Sequence, residues 1–288
     1  MVHVVQHTLK QSVGCVGVGL HSGEDIKMSL HPAKENTGIT FIRKDVQGYD
    51  PVIQANYLNV SNTNLGTTIS NDEGTLVSTI EHLMAALWGC NIDNAIVEID
   101  GPEVPIMDGS SEPFVFLLEC AGLQEQNRKQ NVIEVLKSIE LTDDNKSVSV
   151  EPADEFSVSL EIDFSDSIIS KQRAIFNSSS LSFKTDLCRA RTFGFEHEAK
   201  KLHSMGLAKG ASLDNAVVIS NNGVLNKDGL RYDNEFVRHK ILDCIGDFYL
   251  AGAIVKGKFS GYRSGHNLNN QLLRKFFADK SAWRYAEI

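Results

Sequence analysis

Twice along this chain a set of short strand-like segments gives way to a helix and then to a closing strand. In the first half, alternating apolar and polar residues over 4–13, 26–30 and 39–42 predict strands separated by Gly- and Pro-containing turns. A helix over 78–88, a buried strand over 94–99 and a second helix over 113–121 follow. The second half keeps the order: strands at 132–141, 147–151 and 158–164, a short helix at 195–204, a strand at 216–220, a long helix at 233–251 and a last strand at 254–259. No short sequence repeat accompanies this pattern. It predicts an α+β fold of two similar units, and the cleft between two such units is a common place for a ligand. The polar stretch 124–131, QEQNRKQN, has no apolar periodicity and reads as a linker. That gives an N-terminal α+β domain over 1–126, a linker at about 127–131 and a C-terminal α+β domain over 132–288. The two halves can bury each other, which favours a monomer.

Composition narrows the function classes. A formal net charge of -9 makes the chain a poor partner for nucleic acid, whose binders cluster Lys and Arg. Any bound phosphate should meet a local basic group. The cysteines Cys15, Cys90, Cys120, Cys188 and Cys244 are scattered and lack C-x-x-C spacing, which argues against a disulfide framework or a cysteine zinc site and for a reducing compartment. The first twelve residues show no basic stretch leading into an apolar one. No apolar run approaches the roughly 20 residues of a membrane span. The expectation is a cytoplasmic protein.

Three clusters carry possible chemistry. In STIEHL at 78–83, Ile80, Leu83, Met84 and Leu87 make one apolar helix face, and Glu81 and His82 lie off it. Ser78 with Glu81 three residues on also reads as a capping box, a purely structural role. In the long helix, Glu235, His239, Asp243 and Asp247 fall on one stripe, opposite Val237, Ile241, Ile245 and Phe248. His and Asp four residues apart are neighbours on a helix and can grip one cation. Two carboxylates at that spacing repel unless something positive lies beside them. The alternative is a solvated acidic face. The third cluster, SGYRSGHN at 260–267, places Arg263 and His266 among glycines in an expected loop. By contrast, GVGLHSG at 17–23 lacks the G-x-G-x-x-G spacing and leads into a strand, so it is not a dinucleotide fingerprint.

Together His82, His239 and Asp243 supply two imidazoles and a carboxylate, a set that suits catalytic zinc with a fourth position left for water. Zinc lowers the pKa of that water and polarises a carbonyl. Glu81, next to a ligand, is placed to take the water's proton. His266 is a candidate to protonate a leaving amine, and Asp247 to hold His266 as imidazolium. Amide hydrolysis needs each of these roles.

The motifs TIEHL (79–83), PIMDGS (105–110), RARTFGF (189–195), SLDNAVV (212–218), RHKILDCIGD (238–247), SGHNLNN (264–270) and VGVGLHSG (16–23) resemble those of the UDP-3-O-acyl-N-acetylglucosamine deacetylase family, in the family's order and across almost the whole chain. The resemblance implies two α+β domains in a sandwich with helices packed between sheets and the active site between the domains. It implies a zinc enzyme that removes acetate from the 2-amide of its UDP-sugar substrate, the committed step toward lipid A. It also implies His82, His239 and Asp243 as zinc ligands, Glu81 as general base and His266 as general acid. Thr192 matches a hydroxyl that helps hold the oxyanion, whose charge develops only in the transition state. Phe193 matches a position beside the sugar and Lys240 a substrate-binding lysine. An acyl passage falls near 195–218. Iron(II) suits a His/His/Asp site as well as zinc does.

Two positions depart from the family pattern. Arg263 stands where members often have Lys, and its planar fork meets a diphosphate differently. Gly66, in NTNLGTT, stands where some members place a cysteine near the metal; the change is read as altering metal access, not the reaction. Lys146 matches a second nucleotide-side lysine. The competing readings are the same chemistry on another N-acyl amino sugar and a catalytically dead nucleotide-sugar binding protein. The presence of Glu81, His82, His239, Asp243 and His266 argues against the second.

Overall fold

In the computed structural model, which describes residues 5–164, 168–178 and 183–287, each half of the chain builds a five-stranded sheet, and the two sheets share one topology. Across the first the order is Val13–Val18, Asp25–Pro32, Ala95–Ile99, Ile39–Arg43 and Val52–Gln54. Across the second it is Ile139–Asp143, Lys146–Glu151, Lys258–Tyr262, Ser157–Phe164 and Ser170–Asn177. In both, the strand latest in sequence inserts at the centre, parallel to one neighbour and antiparallel to the other. The outer pairs are antiparallel hairpins. The expected α+β class is therefore present, with the duplication expressed in topology where no sequence repeat is visible.

Among the described residues are six α-helices, α1 (Glu81–Gly89), α2 (Glu112–Ala121), α3 (Phe183–Asp186), α4 (Ala199–Ser204), α5 (Glu235–Tyr249) and α6 (His266–Ala278), and four smaller sheets of two or three strands. Helices α1 and α5 pack against each other, and α5 also lies on the strands Ser157–Phe164 and Ser170–Asn177. Eight consecutive residues of α1, Glu81 to Trp88, are buried. Such a helix is held by packing on all sides and not by an amphipathic stripe. On α5, Phe248 stacks on Phe259 of the central strand at 3.9 Å. Burying one such ring contributes roughly 1.5–3 kcal/mol. Trp88, at the end of α1, meets Phe156 at 4.9 Å and Phe183 at 6.1 Å, tying the first half of the chain to the second.

Several elements differ from their expected bounds. The stretch read as a linker is a strand, Leu123–Lys129, paired antiparallel with Val5–Leu9. Only Gln130, itself buried, separates it from the next strand, Asn131–Val135. The strand is almost entirely exposed and so lacks apolar alternation, and its polar residues tie it to the first half of the chain: Gln126 accepts from Asn94 and donates to the Ala33 carbonyl, and the Asn127 amide donates to Glu35. The expected strand over 4–13 begins at a residue outside the described ones and divides into Val5–Leu9 and Val13–Val18. The expected strand over 132–141 likewise divides, into Asn131–Val135 and Ile139–Asp143. The 260–267 cluster is not a free loop. Its first residues end the central strand Lys258–Tyr262, and His266 opens α6. Among the described residues no helix is long and apolar enough to cross a membrane.

Candidate active site

Where α1 and α5 meet, their ionisable residues converge. One ligand atom each from His82, on the first turn of α1, and from His239 and Asp243, one turn apart on α5, all lie within 4.8 Å of one another. Asp243 Oδ1 is 3.5 Å from His82 Nε2 and 3.4 Å from His239 Nε2. The rings meet edge-on at 4.9 Å. His239 Nδ1 lies 3.0 Å from the Ala190 carbonyl, so it carries the proton and leaves the Nε2 lone pair free. Burial pushes His239 down to about 4, so the ring is neutral at pH 7. Burial also opposes the charge on Asp243, but His239 and Lys240 hold its carboxyl well below the usual range. Lys240 Nζ donates to Asp243 Oδ2 at 2.7 Å. Asp243 Oδ1, though buried, has no hydrogen-bond partner. A buried orphan carboxylate oxygen beside two imidazole nitrogens is a donor set that a divalent cation satisfies, and these three residues fit one.

Glu81 is 3% exposed, and the capping-box reading of it does not hold. The helix starts at Glu81 with no side-chain cap, and Ser78 Oγ instead accepts from Thr68 Oγ1. The Glu81 carboxylate accepts from the Thr67 backbone N–H at 2.9 Å. Burial, the dominant effect, raises its pKa above the ordinary carboxylate range. Behind it lies a second cluster. His266 Nδ1 donates to Asp247 Oδ2 at 2.9 Å, Asn269 Nδ2 donates to the same oxygen at 2.8 Å, and Thr67 Oγ1 donates to Asp247 Oδ1 at 2.6 Å. Burial alone would lower His266, but Asp247 outweighs it and the ring is pushed up to about 9. His266 Nε2 lies 4.0 Å from Asp243 Oδ2, so the imidazolium and the candidate metal site face each other.

A cavity of about 370 Å³ opens over these groups. Glu81, His82, His239, Asp243 and His266 line it. Thr192 and Phe193 form another part of the wall, and Lys240, Arg263 and Lys146 bring three cationic side chains to it. Asp247 is not in the wall and touches the site through His266. Phe193 packs 6.3 Å from the His239 ring. Thr192 is held by its backbone, whose N–H donates to the Gly109 carbonyl of PIMDGS and whose carbonyl accepts from Val217 N. The acidic stripe on α5 is not a solvated face: Glu235, His239, Asp243 and Asp247 are all buried. Glu235 stands apart from the other three. It takes Arg191 Nε at 2.9 Å and the backbone amides of Arg191 and Arg231, which anchors the RARTFGF segment to α5.

Four residues of the site carry no signal in the reading of the sequence. Thr67 joins Glu81, Asp247 and His266. Glu103, 2% exposed, accepts from the backbone N–H groups of His21 and Ser22 and from Thr79 Oγ1, locking the VGVGLHSG turn to the residue that precedes α1 by two. Asp143 and Phe164 line the cavity from the second sheet. All four act over long sequence separations or from strand ends, where local periodicity is silent.

Comparison with known proteins gives a consistent result. A family model described as UDP-3-O-acyl N-acetylglycosamine deacetylase matches residues 6–278. A protein of Acidithiobacillus ferrooxidans named UDP-3-O-acyl-N-acetylglucosamine deacetylase is 48% identical over 284 residues, covering 98% of this chain and 93% of that one. Proteins of the same name from Vibrio cholerae and Neisseria gonorrhoeae are 47% identical over 284 residues and 45% identical over 287. These alignments cover 98% and 99% of this chain and 92% and 94% of theirs.

Proposed function

The chain belongs to the UDP-3-O-acyl N-acetylglycosamine deacetylase family, and on that premise we propose that it hydrolyses the acetamide of UDP-3-O-acyl-N-acetylglucosamine. The products are acetate and UDP-3-O-acyl-glucosamine, and the reaction commits the sugar to lipid A. The observation that carries this reading is Asp243 Oδ1, a buried carboxylate oxygen with no hydrogen-bond partner beside the Nε2 atoms of His82 and His239. His82, His239 and Asp243 would hold zinc, and the same donors would also take iron(II). Zinc there supplies Lewis acidity that polarises a carbonyl and brings the pKa of water toward 7.

The protein's own groups supply the remainder. Glu81, its carboxyl raised by burial, accepts the proton of the attacking water. His266, kept protonated by Asp247, donates to the departing sugar amine. The Thr192 hydroxyl is a donor for the oxygen on which negative charge develops, a kind of contact typically worth about 2.7–4 kcal/mol of barrier. Phe193 packs beside the sugar. Arg263 and Lys146 counter the diphosphate of a substrate whose charge the acidic chain would otherwise repel, and Lys240, held by Asp243, meets the substrate beside the candidate metal site. The acyl chain runs along 195–218, a segment with exposed Met205 and Leu213.

The chain divides into an N-terminal domain that takes in the strand Leu123–Lys129 and a C-terminal domain that begins at Asn131, with the site between them, a division supported by the shared sheet topology of the two halves and by the pairing of Leu123–Lys129 with Val5–Leu9. It works as a monomer in the cytoplasm; the five free cysteines fit a reducing compartment. The test of the substrate is acetate release from the acylated UDP-sugar compared with the same sugar lacking the 3-O-acyl chain. Strong preference for the acylated compound is expected. Equal turnover of both would favour a broader N-acyl amino sugar hydrolase.

A further inference from the structure

Thr67 faces two different functional groups with two different parts of itself. Its backbone N–H donates to Glu81 Oε2 at 2.9 Å. Its hydroxyl donates to Asp247 Oδ1 at 2.6 Å, and the same oxygen lies 3.2 Å from His266 Nδ1. Thr67 is 2% exposed and does not line the cavity, so nothing bound there touches it.

We infer that Thr67 is a positioning residue that fixes the proposed base and the proposed acid relative to one another, its amide orienting Glu81 and its hydroxyl orienting the Asp247–His266 pair. The inference rests on the deacetylase reading above.

Hydrogen-bond capacity carries the argument. Asp247 Oδ2 is already taken by His266 Nδ1 and Asn269 Nδ2. Its other oxygen takes the Thr67 hydroxyl. A hydroxyl has one proton to give and two lone pairs. With the proton spent on Asp247, a lone pair is left facing His266 Nδ1. The Nδ1 proton then sits in a fork between Asp247 Oδ2 and Thr67 Oγ1, which fixes the plane of the ring as well as its tautomer and leaves Nε2 toward the cavity.

The other arm limits Glu81. The last torsion of a glutamate side chain is broad and roughly two-fold, so a carboxylate turns unless something stops it. The Thr67 N–H holds Oε2. The other oxygen faces Gly66, where an added Cβ would lie 3.0 Å from Oε1. The segment is itself anchored, since the Thr67 carbonyl accepts from Ile80 N at the start of α1. Base and acid, brought by two helices far apart in sequence, are thereby referenced to one buried residue.

The test compares Thr67→Val, which keeps the shape and the amide but removes the hydroxyl, with Thr67→Ser, which restores it. Zinc-loaded proteins are assayed for acetate release. Thr67→Val is expected to lose about 10- to 100-fold in kcat with KM and zinc stoichiometry unchanged, the usual cost of removing an orienting partner, whereas Thr67→Ser stays near wild type. Because the hydroxyl acts through Asp247, the same Thr67→Val change on an Asp247→Ala background, which leaves the hydroxyl no acceptor at that position, should cost little more. Wild-type kcat in Thr67→Val, an equal loss in Thr67→Ser, or a loss that repeats in full on the Asp247→Ala background would each overturn the inference. Should packing disturb Thr67→Val, Thr67→Ala applies the same criteria with space left in place of a methyl group. A wild-type protein that releases no acetate overturns the deacetylase reading itself, and this inference with it, an outcome distinct from the other three.

Discussion

Gly246 on α5 lies directly against Glu81 on α1: a Cβ added at Gly246 would fall 2.1 Å from the Glu81 carbonyl oxygen. The two helices that carry the site thus touch at the residue proposed as the base, and the contact requires the absence of a side chain. Gly246→Ala is expected to force the helices apart. An overpacked core contact costs typically 1–3 kcal/mol, so the thermal midpoint should fall. Activity should fall further than stability explains, because the shift separates His82 from His239 and Asp243. Calorimetry and acetate release on the folded protein check both. An unchanged midpoint would mean that the helices adjust freely.

Glu81→Ala removes the proposed base without touching the three candidate ligands. It is expected to retain one equivalent of zinc and to bind the UDP-sugar, while kcat falls by about 10²–10⁴, the usual contribution of a general base. Metal analysis, ligand titration and turnover on one preparation separate these effects. Retained turnover would remove the assignment.

The pH profile follows from two shifts. Burial raises Glu81, so activity should rise as its carboxyl loses a proton, on a limb above the ordinary carboxylate range. Asp247 raises His266 to about 9 against burial, so activity should fall on the alkaline side as that proton is lost. A bound cation nearby disfavours imidazolium and places the alkaline limb at or below that value. The limb should disappear in His266→Ala, leaving a residual rate that does not decline with pH. A bell of unchanged shape in that variant would count against His266 as the acid.

Two of the three candidate ligands, His239 and Asp243, are legible because they lie at a short helical spacing, whereas His82 joins them only through the packing of α1 on α5. His239, Asp243 and Asp247 share a helical stripe, and an apolar face opposite them orients it. The capping-box alternative for Glu81 could not be dismissed from sequence, since Ser78 and Glu81 have the right spacing; it fails because the helix begins at Glu81 itself. Helix α6 was missed although Leu268, Leu272, Leu273, Phe276 and Phe277 carry helical spacing and are buried. The glycines before His266 predict a loop, and the helix begins immediately after them. Leu123–Lys129 was missed for the opposite reason: an almost entirely exposed strand has no apolar alternation to detect. Thr67 was beyond reach, because its meaning lies in contact with Asp247, 180 residues away.

The most direct test of the account is metal dependence measured on the proposed substrate. The protein is stripped of metal, shown to remain folded, and titrated with zinc while acetate release from UDP-3-O-acyl-N-acetylglucosamine is followed. The account predicts no release from stripped protein and full recovery near one equivalent, with Asp243→Ala failing to recover at that level. Undiminished release from fully stripped protein, or no release at any zinc level from folded wild type, would contradict it.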